Sequence, residues 1–209
     1  MSPLETLGFA LGTSFASGLN LYATVAAAGL FQRFGVVDLP RSLDILSHPV
    51  IIGIALAMFV IEFVADKVPL VDSAWDAVHT FIRPPAAMIL AWASFGDVSE
   101  VWKLGAALLA GSVALTSHGA KASARAAANT SPEPVSNWLL SVGEDAIAIF
   151  LAWLAAEHPV LTAGLVVVLV IISAYIIWKL LSFFRRSVDR VKRAYRKAVA
   201  DTAAETASG

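Results

Sequence analysis

The sequence predicts an all-α, polytopic membrane protein with about six transmembrane helices, arranged as two inverted three-helix repeats. Of its 209 residues, 58% are hydrophobic and 15% are charged, and the mean hydropathy is +0.74. Soluble domains carry about 45–50% apolar and about 25% charged residues, so most of this surface is expected to face lipid. A series of apolar segments and a similarity between the two halves of the chain complete the prediction.

The first three predicted spans lie in the N-terminal half. Residues 4–34 form the first, which as one straight helix would reach about 45 Å and exceed a hydrocarbon thickness of about 30 Å. We expect it to tilt strongly or to unwind near Gly18, and a discontinuous segment is the prediction. Residues 49–66 form the second span. Ala86–Phe95 is too short to cross alone, so the third span includes residues upstream of Pro84-Pro85, where the prolines should kink the helix.

The C-terminal half supplies three further predicted spans. Leu104–Asn129 is the fourth, and it is predicted to be discontinuous at Thr116-Ser-His-Gly119. Ser136–Ala156 is the fifth, and Pro159–Phe184, rich in Val, Ile and Leu, is the sixth.

The basic residues are concentrated after the last span. Eight of the fifteen Lys and Arg residues lie between Lys179 and Lys197. Because such residues concentrate on the cytoplasmic side of membrane proteins, both termini are expected to be cytoplasmic. A transmembrane domain of residues 1–184 is thus followed by a basic amphipathic tail, residues 185–209, which is expected to bind anionic lipids.

The two halves of the chain resemble each other. A shift of 99 residues aligns small residues of the first span with those of the fourth: Gly12 with Gly111, Ser17 with Thr116 and Thr24 with Ser123. Three spans in each half would invert the two repeats, about 4–96 and 104–184. Inverted repeats with interrupted helices in matching positions indicate the central site of a transporter.

A polar stripe precedes the third span. If residues 72–83 are helical, Asp72, Asp76, His79 and Arg83 fall on one face. The first three could ligate a divalent metal ion. Solvated or ion-paired side chains on an amphipathic helix are the favoured interpretation, and the metal question stays open.

Each half also carries an acidic pair. Glu62 and Asp66, the first acidic pair, form either a proton or cation site or a helix end among lipid headgroups. Glu144 and Asp145, the second acidic pair, lie about 12–13 Å inside the fifth span, where ionised carboxylates cost several kcal/mol unless paired or solvated. They are expected either to bind an ion or proton or to form structural ion pairs.

Polar side chains of the first and fourth segments are candidate partners. His118, Lys121, Arg125 and Asn129 share one helical face, and Lys121 and Arg125 are the predicted partners of the second acidic pair. Asn20 in the broken first segment contacts a substrate or makes a helix-packing hydrogen bond.

Several of these motifs occur together. They are Gly18-Leu-Asn-Leu-Tyr22, Glu62-Phe-Val-Ala-Asp-Lys-Val-Pro-Leu-Val-Asp-Ser-Ala-Trp-Asp76, His79-Thr-Phe-Ile-Arg-Pro84, Asn129-Thr-Ser-Pro-Glu-Pro-Val-Ser-Asn137 and Gly143-Glu-Asp145. Over roughly residues 5–185 the chain resembles domain-of-unknown-function family 4126, which consists of small, mostly bacterial integral membrane proteins. The resemblance implies a membrane protein, and it implies no activity because the family has no agreed one. The expected location is a bacterial cytoplasmic (inner) membrane.

The expected function is that of a transporter or channel for a small solute or ion, coupled to a proton or cation. The two acidic pairs would hold the cation, while Lys121, Arg125 and Arg83 would balance charge or meet an anionic group. The alternative is a non-transporting scaffold or lipid-organising protein whose buried charges are structural.

An enzyme is the disfavoured class. It would be an intramembrane enzyme using His79 or His118 with a carboxylate. The sequence has no cysteine, nucleophile elbow, phosphate loop or His-Glu-x-x-His motif, so no cofactor is expected. The expected partners are the bilayer and a small solute or ion but no nucleic acid, and a homo-oligomer stays open.

Overall fold

The computed structural model describes residues 1–68, 71–128 and 134–208, and every regular element in these ranges is a helix. In chain order they are α1 (Pro3–Leu19), α2 (Leu21–Arg33), a 3-10 helix (Arg41–Ser47), α3 (Pro49–Ala65), α4 (Val71–His79), α5 (Arg83–Ser94), α6 (Glu100–Ala128), α7 (Pro134–Glu157) and α8 (Pro159–Ser208). The predicted all-α class is confirmed for these residues, and Asn129 lies outside them.

Two of the described helices are long and apolar enough to cross a membrane. They supply Trp138–Glu157 of α7 and Pro159–Arg190 of α8, stretches of 20 and 32 residues. A third candidate exists if the 3-10 helix and α3, bent by 64° at their junction, form one span. These lengths and compositions indicate association with a membrane.

The distribution of polarity is the reverse of that in a soluble domain. Large apolar side chains lie on the outside, among them Phe81 (80% exposed), Trp102 (72%) and Ile171 (64%). A set of charged side chains lies inside instead, including Glu62 and Arg83, which are fully buried. An apolar exterior around a charged interior suits a chain whose solvent is hydrocarbon.

Helix α1 is the central element. It packs against α5, α6, α7 and α8 and is buried from Gly8 to Leu19. Small residues permit this close approach: a Cβ at Gly12 would lie 2.6 Å from the Ala155 Cβ, and one at Gly18 would overlap Ser117 Oγ and the Ala114 carbonyl. Small residues at helix contacts are the usual means of close packing in membranes.

Gly18→Ala is expected to lower the free energy of unfolding by about 1–3 kcal/mol, because the added methyl group forces α1 and α6 apart. Thermal unfolding of the detergent-purified protein measures the effect. The matched control is Gly53→Ala in α3, where a Cβ meets no atom within 4 Å. Equal stability of the two variants would contradict the packing argument.

The first predicted span is broken, two residues beyond Gly18. Helix α1 ends at Leu19 and α2 begins at Leu21, with Asn20 between them in an extended conformation (φ −148°, ψ 105°). The Asn20 side chain caps α2 by accepting a hydrogen bond from the Ala23 N–H, 2.8 Å away. Asparagine therefore positions the break, since its side-chain oxygen replaces the missing helical partner.

The predicted discontinuity of the fourth segment is wrong, because α6 is continuous from Glu100 to Ala128. The polar residues within it do not interrupt the helix. Thr116 Oγ1 donates to the Ser112 carbonyl at 2.8 Å, and Ser117 Oγ lies 2.9 Å from the Phe15 carbonyl of α1. Glycine in a helix costs only about 1 kcal/mol, which packing against neighbouring helices can offset.

The second break lies in the third predicted span instead. Helix α4 ends at His79 and α5 begins at Arg83, with the two prolines in its first turn, where their missing N–H groups do no harm. At the other end of the chain, α8 joins the sixth predicted span to the basic tail as one helix. No Gly or Pro occurs from 165 to 208 to end it.

Candidate functional site

The first acidic pair and Glu144 of the second meet in the interior through Lys121 of α6. Its Nζ lies 3.2 Å from Glu62 Oε1, 3.3 Å from Asp66 Oδ2 and 3.7 Å from Glu144 Oε2. The four side chains are buried. The first acidic pair lies at the C-terminal end of α3 with both side chains buried, and carboxylates from both halves of the chain share one cation.

Arg125 makes a second bridge between the same halves, one helical turn from Lys121. Its Nη2 lies 2.7 Å from Asp66 Oδ2 and 2.6 Å from Glu144 Oε2. The predicted pairing of the second acidic pair with Lys121 and Arg125 holds for Glu144 but not for Asp145. Charge-assisted bonds of this length are the strong ones, so α3, α6 and α7 are tied together at this level.

Asp145 has a different partner. Its Oδ1 accepts a hydrogen bond from Asn20 Nδ2 at 2.8 Å, and Asn20 caps α2 through its other side-chain atom. Of the two predicted roles of Asn20, the structure contains the hydrogen bond between helices. The break between α1 and α2 is thereby connected to the second acidic pair.

Two cations also cap the C-terminal end of α1. Arg83 Nη1 donates to the Gly18 carbonyl at 2.7 Å, and Lys121 Nζ donates to the Leu19 carbonyl at 2.9 Å. These carbonyls have lost their helical partners at the break and carry the negative end of the helix dipole. The break thus adds backbone acceptors to the charged site.

Arg83 joins the α4 stripe to this site. Its Nη2 lies 2.5 Å from Glu62 Oε1, and 3.9 Å from Asp76 Oδ1. Asp72, Asp76 and His79 are buried. The favoured interpretation, solvated or ion-paired side chains, holds for Asp76 as an ion pair. The stripe faces inward because the opposite, apolar face of α4 is the one exposed.

The metal hypothesis for the stripe finds no support among the described residues, where no three His, Asp or Glu side chains are arranged to hold a metal ion. His79 Nδ1 lies 2.8 Å from the Trp75 carbonyl and Nε2 lies 3.1 Å from the Tyr22 hydroxyl. Asp72 Oδ1 accepts from the Ser73 N–H at 2.5 Å. The candidate ligands are directed to separate partners.

His118 is held in a single neutral tautomer. Arg83 Nη1 lies 2.8 Å from its Nδ1, and a guanidinium can only donate, so Nδ1 accepts. Its Nε2 lies 3.0 Å from the Asp76 carbonyl, which can only accept, so Nε2 carries the proton. Thr80 Oγ1 also lies 2.9 Å from His118 Nε2. Both ring nitrogens are engaged in fixing Arg83 and α4.

Tyr22 connects the site to an apolar groove. The groove, of about 310 Å³, is lined by residues of α2, α3 and α5, including Tyr22, Ile51 and Ala86. The Tyr22 hydroxyl at its wall is the one that bonds His79. Tyr22 therefore lines the groove and also contacts the buried His79.

All twelve residues predicted as site residues are buried: Asn20, Glu62, Asp66, Asp72, Asp76, His79, Arg83, His118, Lys121, Arg125, Glu144 and Asp145. They include six carboxylates but only three cations. Within the described ranges, one oxygen of each of Glu62, Asp66, Asp76 and Asp145 accepts no hydrogen bond. Such an interior can hold protons or a cation, since unbalanced buried charge is costly.

Three contributors were not foreseen as site residues. Ser117 bonds the Phe15 carbonyl, Thr80 bonds His118, and Lys67 donates to Ser141 Oγ at 3.4 Å. Only Thr80 had a local signal, because it follows Asp76 by one helical turn.

Comparison with known proteins gives one finding. The family model described as Domain of unknown function (DUF4126) matches residues 7–179. No curated protein and no solved structure matches the chain.

Proposed function

We propose that this chain, which belongs to the family described as Domain of unknown function (DUF4126), carries a small solute or ion across a membrane and couples its passage to a proton or cation. One observation carries the proposal: among the residues whose burial is described, six buried carboxylates share the interior with three buried cations at a helix break. Ionisable groups inside a membrane protein usually mark an ion or proton path. The excess of acids favours a positively charged cargo or coupling ion.

The proposed architecture has six spans, made by α1 with α2, α3, α4 with α5, α6, α7 and α8. It retains two inverted repeats, about 4–96 and 104–184, which differ in that α6 is unbroken. The apolar exterior supports this arrangement. The proposed location is a bacterial inner membrane, with both termini cytoplasmic and the basic tail against anionic lipids.

A non-transporting scaffold is the competing function, and the short ion pairs of Arg83 and Arg125 favour it. A purely structural set of charges, however, is expected to be balanced, because each unpaired buried charge destabilises the fold. The surplus of carboxylates and their unpartnered oxygens therefore favour transport.

Proteoliposomes containing a pH-sensitive dye test the proposal. Under an imposed membrane potential, Na⁺, K⁺, Mg²⁺, Ca²⁺, Mn²⁺ and small organic solutes are added in turn, and the internal pH is followed. We expect at least one of them to change proton flux in liposomes that contain the protein. Glu144→Gln should abolish that flux, because the amide cannot balance the charge of Lys121, Arg125 or a bound cation.

The matched control is Glu157→Gln, which removes an exposed carboxylate from the same helix and should leave flux unchanged. Size-exclusion profiles check that both variants fold. Flux no greater than in protein-free liposomes for every added ion and solute would contradict transport and leave the scaffold.

A further inference from the structure

Asp145 differs from the other acids of the site. It is 5% exposed, and no Lys, Arg or His nitrogen of the described chain lies within 4.0 Å of its carboxylate. Its one hydrogen bond comes from the neutral amide of Asn20, at 2.8 Å. Its Oδ2 is buried and accepts no hydrogen bond from the residues that the structure describes. The interior therefore supplies no counter-charge in contact with this carboxylate.

The neighbouring carboxylates show what a paired acid looks like in this protein. Glu62 contacts Arg83 and Lys121, while Glu144 contacts Arg125, with separations from 2.5 to 3.2 Å. The charges of these carboxylates are compensated by cations in direct contact with them. Asp145 has only a dipole to replace its lost hydration, which leaves most of the cost of an ionised carboxylate uncompensated.

More distant charges do not reverse this conclusion. The positive charges of Lys121 in α6 and of Lys67, which follows α3, attract the ionised carboxylate of Asp145. The negative charges of Glu62 and Asp66, at the end of α3, repel that carboxylate. Glu144 is the residue next to Asp145 on α7. The break between α1 and α2 contributes the neutral Asn20. Arg125 is engaged in its ion pairs with Asp66 and Glu144, and Arg83 in its pair with Glu62, so none of the cations of the described residues is in contact with Asp145.

We propose that Asp145 carries a proton at neutral pH and is the proton-binding residue of this site. An O–H bond forms at Oδ2, the proton comes from water and returns to it, and no other covalent bond changes. The role of that proton in coupling rests on the transport function proposed above. Asn20 is the positioning residue, since it binds Oδ1 with its amide nitrogen and caps α2 with its amide oxygen.

Proton release would act directly on the helix break. The Asn20 N–H bond to Asp145 strengthens when the acceptor becomes charged, while the freed carboxylate seeks a cation or water. Because the same amide holds the first turn of α2, a change at Asp145 reaches the junction of α1 and α2. The location of this acid beside the break distinguishes it from the other carboxylates.

Infrared spectroscopy of the full-length protein in liposomes tests the assignment. At neutral pH, the wild-type protein should show the carbonyl stretch of a protonated carboxylic acid, which shifts in D2O and is lost on titration to alkaline pH. Asp145→Asn should remove this band, because an amide is not a carboxylic acid. The asparagine resembles the protonated side chain in shape and keeps an acceptor for Asn20, so the fold should be preserved. Glu144→Gln should retain it, since Glu144 is ion-paired.

Three results would overturn the proposal: no protonated-acid band in the wild-type protein, a band that persists in Asp145→Asn, or a band that disappears when Na⁺ replaces choline at constant pH. The last would assign the site to a metal cation. The wild-type titration needs no variant, so misfolding of Asp145→Asn would not prevent the test. A band without flux refutes transport alone, and flux without a band refutes the proton assignment alone.

Discussion

Replacing Arg125 with methionine is expected to lower the free energy of unfolding by about 3–5 kcal/mol, the range observed when one partner of a buried ion pair is removed. Arg125 Nη2 contacts both Asp66 and Glu144, and all three side chains are buried. Methionine fills a similar volume without charge, so both carboxylates lose a neighbour that neutralises them. Only Lys121 remains, and its contact with Glu144 is the longer one, at 3.7 Å.

This loss is measured by titrating the protein in mixed detergent until it unfolds, with tryptophan fluorescence as the readout. Arg190→Met on the exposed face of α8 is the matched control and should change stability by less than about 0.5 kcal/mol. The double variant Arg125→Met/Glu144→Gln should recover part of the loss, because it removes one uncompensated charge. Full stability of the single variant would mean that water, rather than Arg125, neutralises these acids.

Much of the fold follows from hydrophobicity along the chain. The predicted spans 49–66 and Pro159–Phe184 correspond to α3 and the membrane part of α8, because a proline begins each helix and an apolar run follows. The break in the first segment was predictable from its length. Its position at Asn20 was not, since the partner of this side chain, Asp145, is 125 residues away.

In α6, local sequence patterns predicted a break that the structure does not contain. Thr116, Ser117 and Gly119 have low helix propensity, and sequence similarity to the first segment favoured a second break. The helix continues because tertiary contacts override propensity: Ser117 bonds the Phe15 carbonyl across the interface, and Gly119 allows Ile177 of α8 to approach. Contacts between residues distant in the chain were not available from local patterns.

The membership of the site was predictable, while its connections were not. Charged residues within apolar segments are costly unless they face the interior, and this reasoning selected twelve residues that are all buried. The same reasoning paired Glu144 with Arg125 correctly because depth and helical face were known. It gave no partner for Arg83, because residues 21 to 65 positions away supply its contacts with Glu62, His118 and Gly18.

Those contacts give the second large expectation: Arg83→Met should also destabilise the protein by about 3–5 kcal/mol. The change leaves the Gly18 carbonyl, His118 Nδ1 and one side of Glu62 without their donor, and Arg83 is fully buried. Arg41→Met, which changes an exposed arginine, is the control for loss of charge alone. The same detergent titration measures both variants.

Arg83→Lys decides whether charge or geometry matters at this position. One guanidinium nitrogen serves the Gly18 carbonyl and His118 while the other serves Glu62, and a single ammonium cannot reproduce that planar arrangement. We therefore expect Arg83→Lys to recover less than half of the stability lost in Arg83→Met. Arg83→Met/Glu62→Gln should recover more, because it removes the unpaired anion. If lysine restored full stability, the positive charge alone would be sufficient at this position. The hydrogen bonds from the guanidinium to His118 and to the end of α1 would then contribute nothing to stability.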